Sequence, residues 1–477
     1  MASSVALTPS FHPFPRLPYE LRLAIIEEYL QGIGYTKSSL RNWRPTVLED
    51  GIITAFQTYG PPEEPLARYA TIDKQWKSVV EKHTFHTLAL NVAGIDDPNV
   101  LDDLERICVG DRIDEISEIE LSIVVDNIGS QYSGSSTDLM NAATDQGSEA
   151  DTDDDTEPSI VHAERVATAA IGHFFRIVAG WTRGQESLIL RFKFFCQGPR
   201  RSRPLNVTRL AIDSSSFPEV LCIGSLYMPE EGSYWIIKPE STFQLLTRLP
   251  NVKRSSMKFH DDDLASPDII KIVQEGSSTP SFLGSKLSAL CLRSTAVWHE
   301  KHDPSLYTHP SLQLSQSIFS MTSRLEELYI GYVVDLSAFL RQACIVSRST
   351  PRSTPAWPNL RILLADGVSG SSPSDDRAVA AEFYDSVTEA LPHMPNITMF
   401  EVELTSPFHV NERLYWDNAT ISIRVPPRDD RSATRDGELV LCGAEPDQYT
   451  VDAWQQIARR QWHCKLTRVS CWSSPTL

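Results

Sequence analysis

Long hydrophobic runs are missing from this sequence. No segment approaches the roughly eighteen consecutive apolar residues that a membrane-spanning helix needs, so no membrane span is expected. Basic residues are also short: 44 Lys and Arg stand against 62 Asp and Glu, a net charge of −18. Phosphate binding relies on a basic surface, so nucleic acid is not an expected partner. An anionic membrane would repel most of this surface as well.

Paired cysteines are lacking too. The eight cysteines, at 108, 196, 222, 291, 344, 442, 464 and 471, never form a CxxC motif. Such scattered single cysteines read as buried, reduced thiols of an intracellular protein, with the cytoplasm or nucleus as the expected location. The sequons at Asn206, Asn396 and Asn418 then carry no meaning. The opening MASSVALTPSFHPF has neither a basic end nor an apolar stretch of signal-peptide length, so no leader is expected.

Catalytic signatures are absent as well. There is no GxSxG, no phosphate-cradling Gly-rich loop and no Walker-type lysine. "WHEKH" spaces His299 and His302 three apart, where a metalloprotease helix needs four and a third ligand. "FHDDDL", with His260 and Asp261 to Asp263, lacks the spacing, central Gly and terminal Glu of a calcium loop and reads as a solvated turn. His463 and Cys464 are adjacent only in sequence. The reading is therefore a chain without catalytic residues, metal or cofactor.

What is present begins with size. The chain has 477 residues, 41% of them hydrophobic, enough for two or more domains or one long repeat array. Residues 127 to 160 stand apart, rich in Ser, Thr, Asp and Gly, with eight acidic residues and no Lys or Arg. This composition cannot bury enough apolar surface to offset the entropy of ordering, so a disordered acidic loop is expected. Thr152, ahead of Asp153 to Asp155, suits an acid-directed kinase, although a solvated spacer is the plainer reading.

Elsewhere a phrase recurs: apolar, two variable positions, apolar, one variable position, apolar. It fits Leu287–Leu290–Leu292, Leu325–Leu328–Ile330 and Ile397–Phe400–Val402, and more weakly Leu360–Leu363–Ala365 and Val252 with Met257. Successive starts lie 35, 38, 35 and 37 residues apart. "LTRLPNV", "AWPNL" and "LPHMPNI" share a Pro-Asn lead-in. Looser copies sit at Phe85–Leu88–Leu90, Ile116–Ile119–Leu121 and Val207–Leu210–Ile212. Such a period implies one strand and one helix per unit, and units that bury their apolar faces only by stacking. The expected fold is α/β, an irregular leucine-rich-repeat-like solenoid over residues 85–477, broken by the acidic loop. The competing reading is an ordinary α/β domain whose strands look alike by chance. Near the end, Val451, Trp454, Ala458 and Trp462 form one helical stripe, expected to be core and to close the array.

The beginning differs. "LPYELRLAIIEEYL" puts Pro18 at a helix start and Glu20 in its first turn. Leu21, Ile25 and Tyr29 make one stripe, with Ile26 and Leu30 beside it. So short a helix is marginal alone and must bury that stripe against something. These residues resemble the first helix of the F-box, whose signature opens Leu-Pro-x-Glu-Leu. "LARYATIDKQWKSVVEKHTFHTLAL", residues 66–90, is similar to the family's second half, with Trp76 at its tryptophan. The order of motif, tryptophan half and repeats resembles fungal F-box proteins with a degenerate leucine-rich-repeat-like carboxy-terminal region. Here an insert at about 31–65 separates the halves of a 14–84 module. Its closure cost grows only with the logarithm of its length.

The resemblance implies a substrate receptor of a cullin–RING (SCF-type) ubiquitin ligase. Its helices would bind a Skp-type adaptor through Leu17, Pro18, Leu21, Ile25, Ile72, Trp76 and Val80, and the repeat domain would hold a protein substrate. The alternative is an interaction scaffold outside any ligase, its first helix only capping the array.

Overall fold

The computed structural model describes residues 18–32, 74–93, 99–126, 157–181, 188–197, 208–228, 235–264, 266–278, 286–294, 311–349, 355–368, 376–410, 413–426, 436–443 and 446–470. The chain divides into two compact units, Met1–Ala89 with Leu104–Ile119, and Leu90–Asp103 with Glu120–Leu477.

In chain order the elements begin with α1 (Tyr19–Gly32), α2 (Lys74–His86), β1 (Thr87–Ala93), α3 (Asn99–Ile107), α4 (Asp111–Glu115) and β2 (Glu118–Asp126). Next come α5 (Glu157–Ala179), β3 (Leu188–Gln197), β4 (Thr208–Leu210), β5 (Ile223–Tyr227), β6 (Trp235–Ile237), α6 (Pro239–Thr247) and β7 (Arg254–Phe259). There follow α7 (Asp261–Leu264), α8 (Pro267–Ser278), β8 (Ala289–Ser294), α9 (Leu312–Thr322), β9 (Glu327–Asp335) and α10 (Leu336–Ser349). The last are β10 (Ile362–Val368), α11 (Asp376–Ala390), β11 (Met399–Val410), β12 (Arg413–Arg424), β13 (Asp436–Cys442), α12 (Gln448–Ile457) and β14 (Lys465–Ser470).

In the first unit α1 packs on α2, and Tyr29 meets Trp76 edge-on at 5.8 Å between ring centroids. The Pro18 carbonyl accepts the first helical N–H, from Arg22, at 3.1 Å, so the proline stands at the helix start as its fixed φ favours. Arg112 ties α4 to α2, donating to Glu81 at 2.8 Å and lying 5.2 Å over the Phe85 ring. Phe85 was expected in a strand; it lies in the last turn of α2, and the strand starts at Thr87.

The second unit is mixed α/β, built on one large, mostly parallel sheet. Its strands run in the order β1-β2-β3-β5-β7-β8-β9-β10-β11-β12-β13-β14, without reversing sequence order, and β4 and β6 pair separately. Pairing is parallel from β3 to β11, antiparallel for β11–β12 and β12–β13, and parallel again for β13–β14. The recurrent phrase falls in register. Ser255, Leu290, Leu328, Leu363 and Phe400 stand side by side, as do Met257, Leu292, Ile330, Ala365 and Val402. All are buried, because side chains alternate along a strand and this face meets the helices. Helices α8 to α12 then pack neighbour on neighbour.

The lead-ins to the strands repeat as well. The carbonyl of Lys253 accepts from both Ser288 and Ala289, that of Ser288 from Glu326 and Glu327, that of Glu326 from Arg361 and Ile362, and that of Arg361 from Thr398 and Met399. Two of the Pro-Asn pairs add a side-chain rung: Asn251 donates to the Leu221 carbonyl at 2.8 Å and Asn396 to that of Pro358 at 2.7 Å.

Several expectations need correction. Leu210, at the centre of one looser copy, belongs to the small sheet of β4 and β6, outside the large one. Residues 157–160, assigned to the acidic loop, open α5; residues 127–156 lie outside the described residues. The closing stripe is core, with Trp454, Ala458 and Trp462 buried, but β14 follows it and joins the sheet. Cys442 is disulfide-bonded, against the expectation of reduced thiols throughout, whereas Cys108, Cys222, Cys291, Cys344 and Cys464 form no disulfide.

Candidate functional site

On α1 the stripe expected to bury itself does not. Leu21, Ile25 and Tyr29 are 51%, 46% and 47% exposed, and Pro18 at the helix start is exposed on the same side, while Ile26 is fully buried. A row of large apolar side chains four apart on one helix, left half in water, is the surface an amphipathic helix offers to a groove. On α2, Trp76 is half-buried against Tyr29 and Val80 is buried at 2% exposure. The structure thus brings Tyr29 beside Trp76 and leaves Pro18, Leu21 and Ile25 accessible. Leu17, Ile72 and most of the insert at about 31–65 lie outside the described residues.

The second unit carries a different surface. Residues that alternate with the buried phrase point away from the helices, and the sheet's register sets them in rows. One row holds Arg254, Ala289, Glu327, Ile362 and Met399; another, Lys258, Arg293, Gly331, Asp366 and Glu403. Between them run Ser256, Cys291, Tyr329 and Leu364, all buried, and the partly exposed Glu401. Arg254 Nη2 reaches across the small Ala289 to Glu327 at 3.5 Å. On β3, Arg191 lies 4.8 Å over the Tyr227 ring and Lys193 pairs with Glu120 of β2 at 2.7 Å.

Electrostatics distinguish the two ends of this face. Burial holds the Tyr227 hydroxyl up to about 12 despite nearby Arg191 and Arg254, and burial raises Tyr329 further still. Burial likewise raises Glu327, against the pull of Arg254. Asp366 is pushed up to about 7, first by burial, then by Glu403 and Glu401, with Arg293 pulling the other way. Glu403 is also raised, by burial and by Glu401. At the start of the last parallel strands a cleft of about 410 Å³ has Ile397, Val425 and Trp462 in its lining and Glu326, Arg361 and Asn396 beside them.

The motifs set aside in the sequence fare variously. "WHEKH" lies outside the described residues. Asp263 is buried rather than solvated: it accepts from Arg209 at 2.8 Å and from the His260 N–H at 2.8 Å, holding the turn that opens α7. His463 is exposed with φ 54°, while Cys464 is buried. Among the described residues no group of three or more His, Cys, Asp or Glu is arranged to hold a metal ion, and no helix is long and apolar enough to cross a membrane.

Comparison with protein-family models, with curated proteins and with solved structures finds no match to this chain.

Sequence reasoning missed the charged rows. Asp366 and Glu403 are 37 positions apart and meet only through the β10–β11 register. The recurrent phrase could have revealed them, since each charge stands one residue beyond its last apolar position.

Proposed function

We propose that the chain is a substrate-recognition subunit of an SCF-type ubiquitin ligase, its first unit an F-box-like module that binds a Skp-type adaptor. The second unit is then an irregular leucine-rich-repeat-like array that holds a protein substrate, in the cytoplasm or nucleus. One observation carries the reading: the apolar stripe of α1 remains half-exposed at Leu21, Ile25 and Tyr29 beside Trp76, the positions at which the sequence resembles the F-box. Within it, Pro18, Leu21 and Ile25 touch the adaptor, and buried Val80 holds α2 in place. Leu17 and Ile72 complete the contact set by resemblance alone. The array reading is supported by strands in sequence order, by the phrase in register and by the repeated lead-in bonds. The chain supplies no chemistry of its own; it acts by positioning a substrate for other subunits.

The test is capture of the purified chain by a Skp-type adaptor, beside a Leu21→Asp, Ile25→Asp variant. Both sites are half-exposed, so the variant should keep the circular dichroism of the parent while its capture falls by at least about tenfold, as for loss of central apolar anchors. A parent that the adaptor does not capture would sink the ligase reading. The alternative, a scaffold outside any ligase whose first helix only caps the array, would then stand.

A further inference from the structure

From β7 to β11 the outward rows of the sheet are sorted by sign, with Arg424 of β12 next to Met399 beyond them and Lys193 of β3 already paired with Glu120. On β7 and β8 the outward charges are Arg254, Lys258 and Arg293, with no carboxylate among them. On β10 and β11 they are Asp366, Glu401 and Glu403, with no cation. Between these lies β9, with Glu327, Tyr329 and a bare Gly331. The Arg293 side chain runs alongside that glycine, its Cγ 3.4 Å from where a Cβ would stand. Ala289 and Gly331 thus leave the rows low where the sign changes.

Sorting of this kind works against the fold. Asp366 stands directly opposite Glu403 on the neighbouring strand, and like charges in that relation destabilise a sheet. A surface arranged at a cost to stability is suited to a partner with the complementary arrangement.

We infer that this face binds an extended segment of a protein partner whose charge changes sign along its length, acidic where it crosses β7 and β8 and basic where it crosses β10 and β11. The inference rests on the reading of the second unit as the substrate-holding part. It narrows the substrate to a class: segments with a sharp acidic-to-basic transition. Strands lie about 4.8 Å apart and an extended chain advances about 3.3 Å per residue, so the passage from β8 to β10 takes about three residues and that from β7 to β11 about six. Nucleic acid fits poorly, because its phosphates would meet the carboxylates of β10 and β11.

The experiment is fluorescence anisotropy of the full chain with labelled synthetic peptides of about nine residues. One has glutamates at one end, lysines at the other and Ser-Gly between. Its isomer has the same composition with the signs alternating, and two further peptides carry only glutamate or only lysine. The block peptide should bind at least about tenfold tighter than the other three, with the preference fading as salt rises. Lys258→Glu with Arg293→Glu should erase that preference, and so should the near-isosteric Asp366→Asn with Glu401→Gln. Equal affinity for block and alternating peptides would overturn the proposal. So would an all-lysine peptide that binds as tightly as the block peptide, or a preference untouched by either folded variant. Adaptor capture measured on the same preparation separates the outcomes. Capture without block preference would end this inference and leave the ligase reading; block preference without capture would do the reverse.

Discussion

Asp366 stands opposite Glu403, and Arg293 is the cation that offsets part of its charge. Its carboxyl is raised from 3.8 to about 7 by burial, Glu403 and Glu401. The folded chain therefore takes up a proton there that the unfolded chain has already released. Stability then falls as pH rises through that window and carries the full cost of the ionised group above it. Asp366→Asn should raise the melting temperature at about pH 8, by the equivalent of roughly 1–2 kcal/mol, with the gain vanishing near pH 4. Thermal melts of both proteins across that range decide it; a gain on substitution that does not grow as pH rises from 4 to 8 contradicts the burial argument. The same substitution should weaken the block peptide, so stability and recognition pull in opposite directions at this residue. In the sequence the phrase places Asp366 one residue beyond Ala365, but nothing there says that Glu403 stands opposite it or that the site is buried.

At the scale of elements the sequence was far more informative, because the phrase records which side of each strand is dry. Its five starts, Val252, Leu287, Leu325, Leu360 and Ile397, each lie two residues before the first in-register residue of β7, β8, β9, β10 and β11. The phrase failed where the unit changes. β3 and β5 belong to the sheet without it, and β12 and β13 return antiparallel, which breaks the run of parallel strands that carries the period. The stripe of α1 was legible as a stripe, but spacing alone does not say what covers a face, and within this chain Leu21, Ile25 and Tyr29 stay half-exposed. The Pro-Asn lead-ins acquire a physical meaning in the bonds of Asn251 and Asn396 to carbonyls 30 and 38 residues earlier, at Leu221 and Pro358. Asn396→Ala should cost about 1 kcal/mol by removing the donor to Pro358, and Asn251→Ala a similar amount. Urea unfolding would show this as a lowered midpoint at constant slope. Gly437→Ala should cost more, about 1–3 kcal/mol, because a Cβ there would stand 2.9 Å from the Arg424 carbonyl and 3.0 Å from Leu466 between β12 and β14.

For the whole molecule, the question left by the sequence was whether the repeats form an array or one ordinary α/β domain. The two differ in how damage spreads. In an array each unit touches only its neighbours, so a local loss stays local, whereas a single core fails as one. Trp357 is the place to apply that test. It is fully buried, lies 4.8 Å from Phe319 and 5.6 Å from Phe339 between ring centroids, donates its indole N–H to Thr322 at 2.8 Å, and donates its backbone N–H to the His393 carbonyl at 3.1 Å. It therefore joins α9 and α10 to the turn before β11. Trp357→Ala should cost about 3–5 kcal/mol through lost contacts and the cavity left behind. In a repeat array, native-state hydrogen exchange should accelerate across β9, β10 and β11 with α9 and α10, while β2, β3 and α5 keep their protection. Equal acceleration in every element would instead mean one cooperative core. The strand order would then be no more than a way of threading a single domain, and the array part of the proposed function would have to be given up.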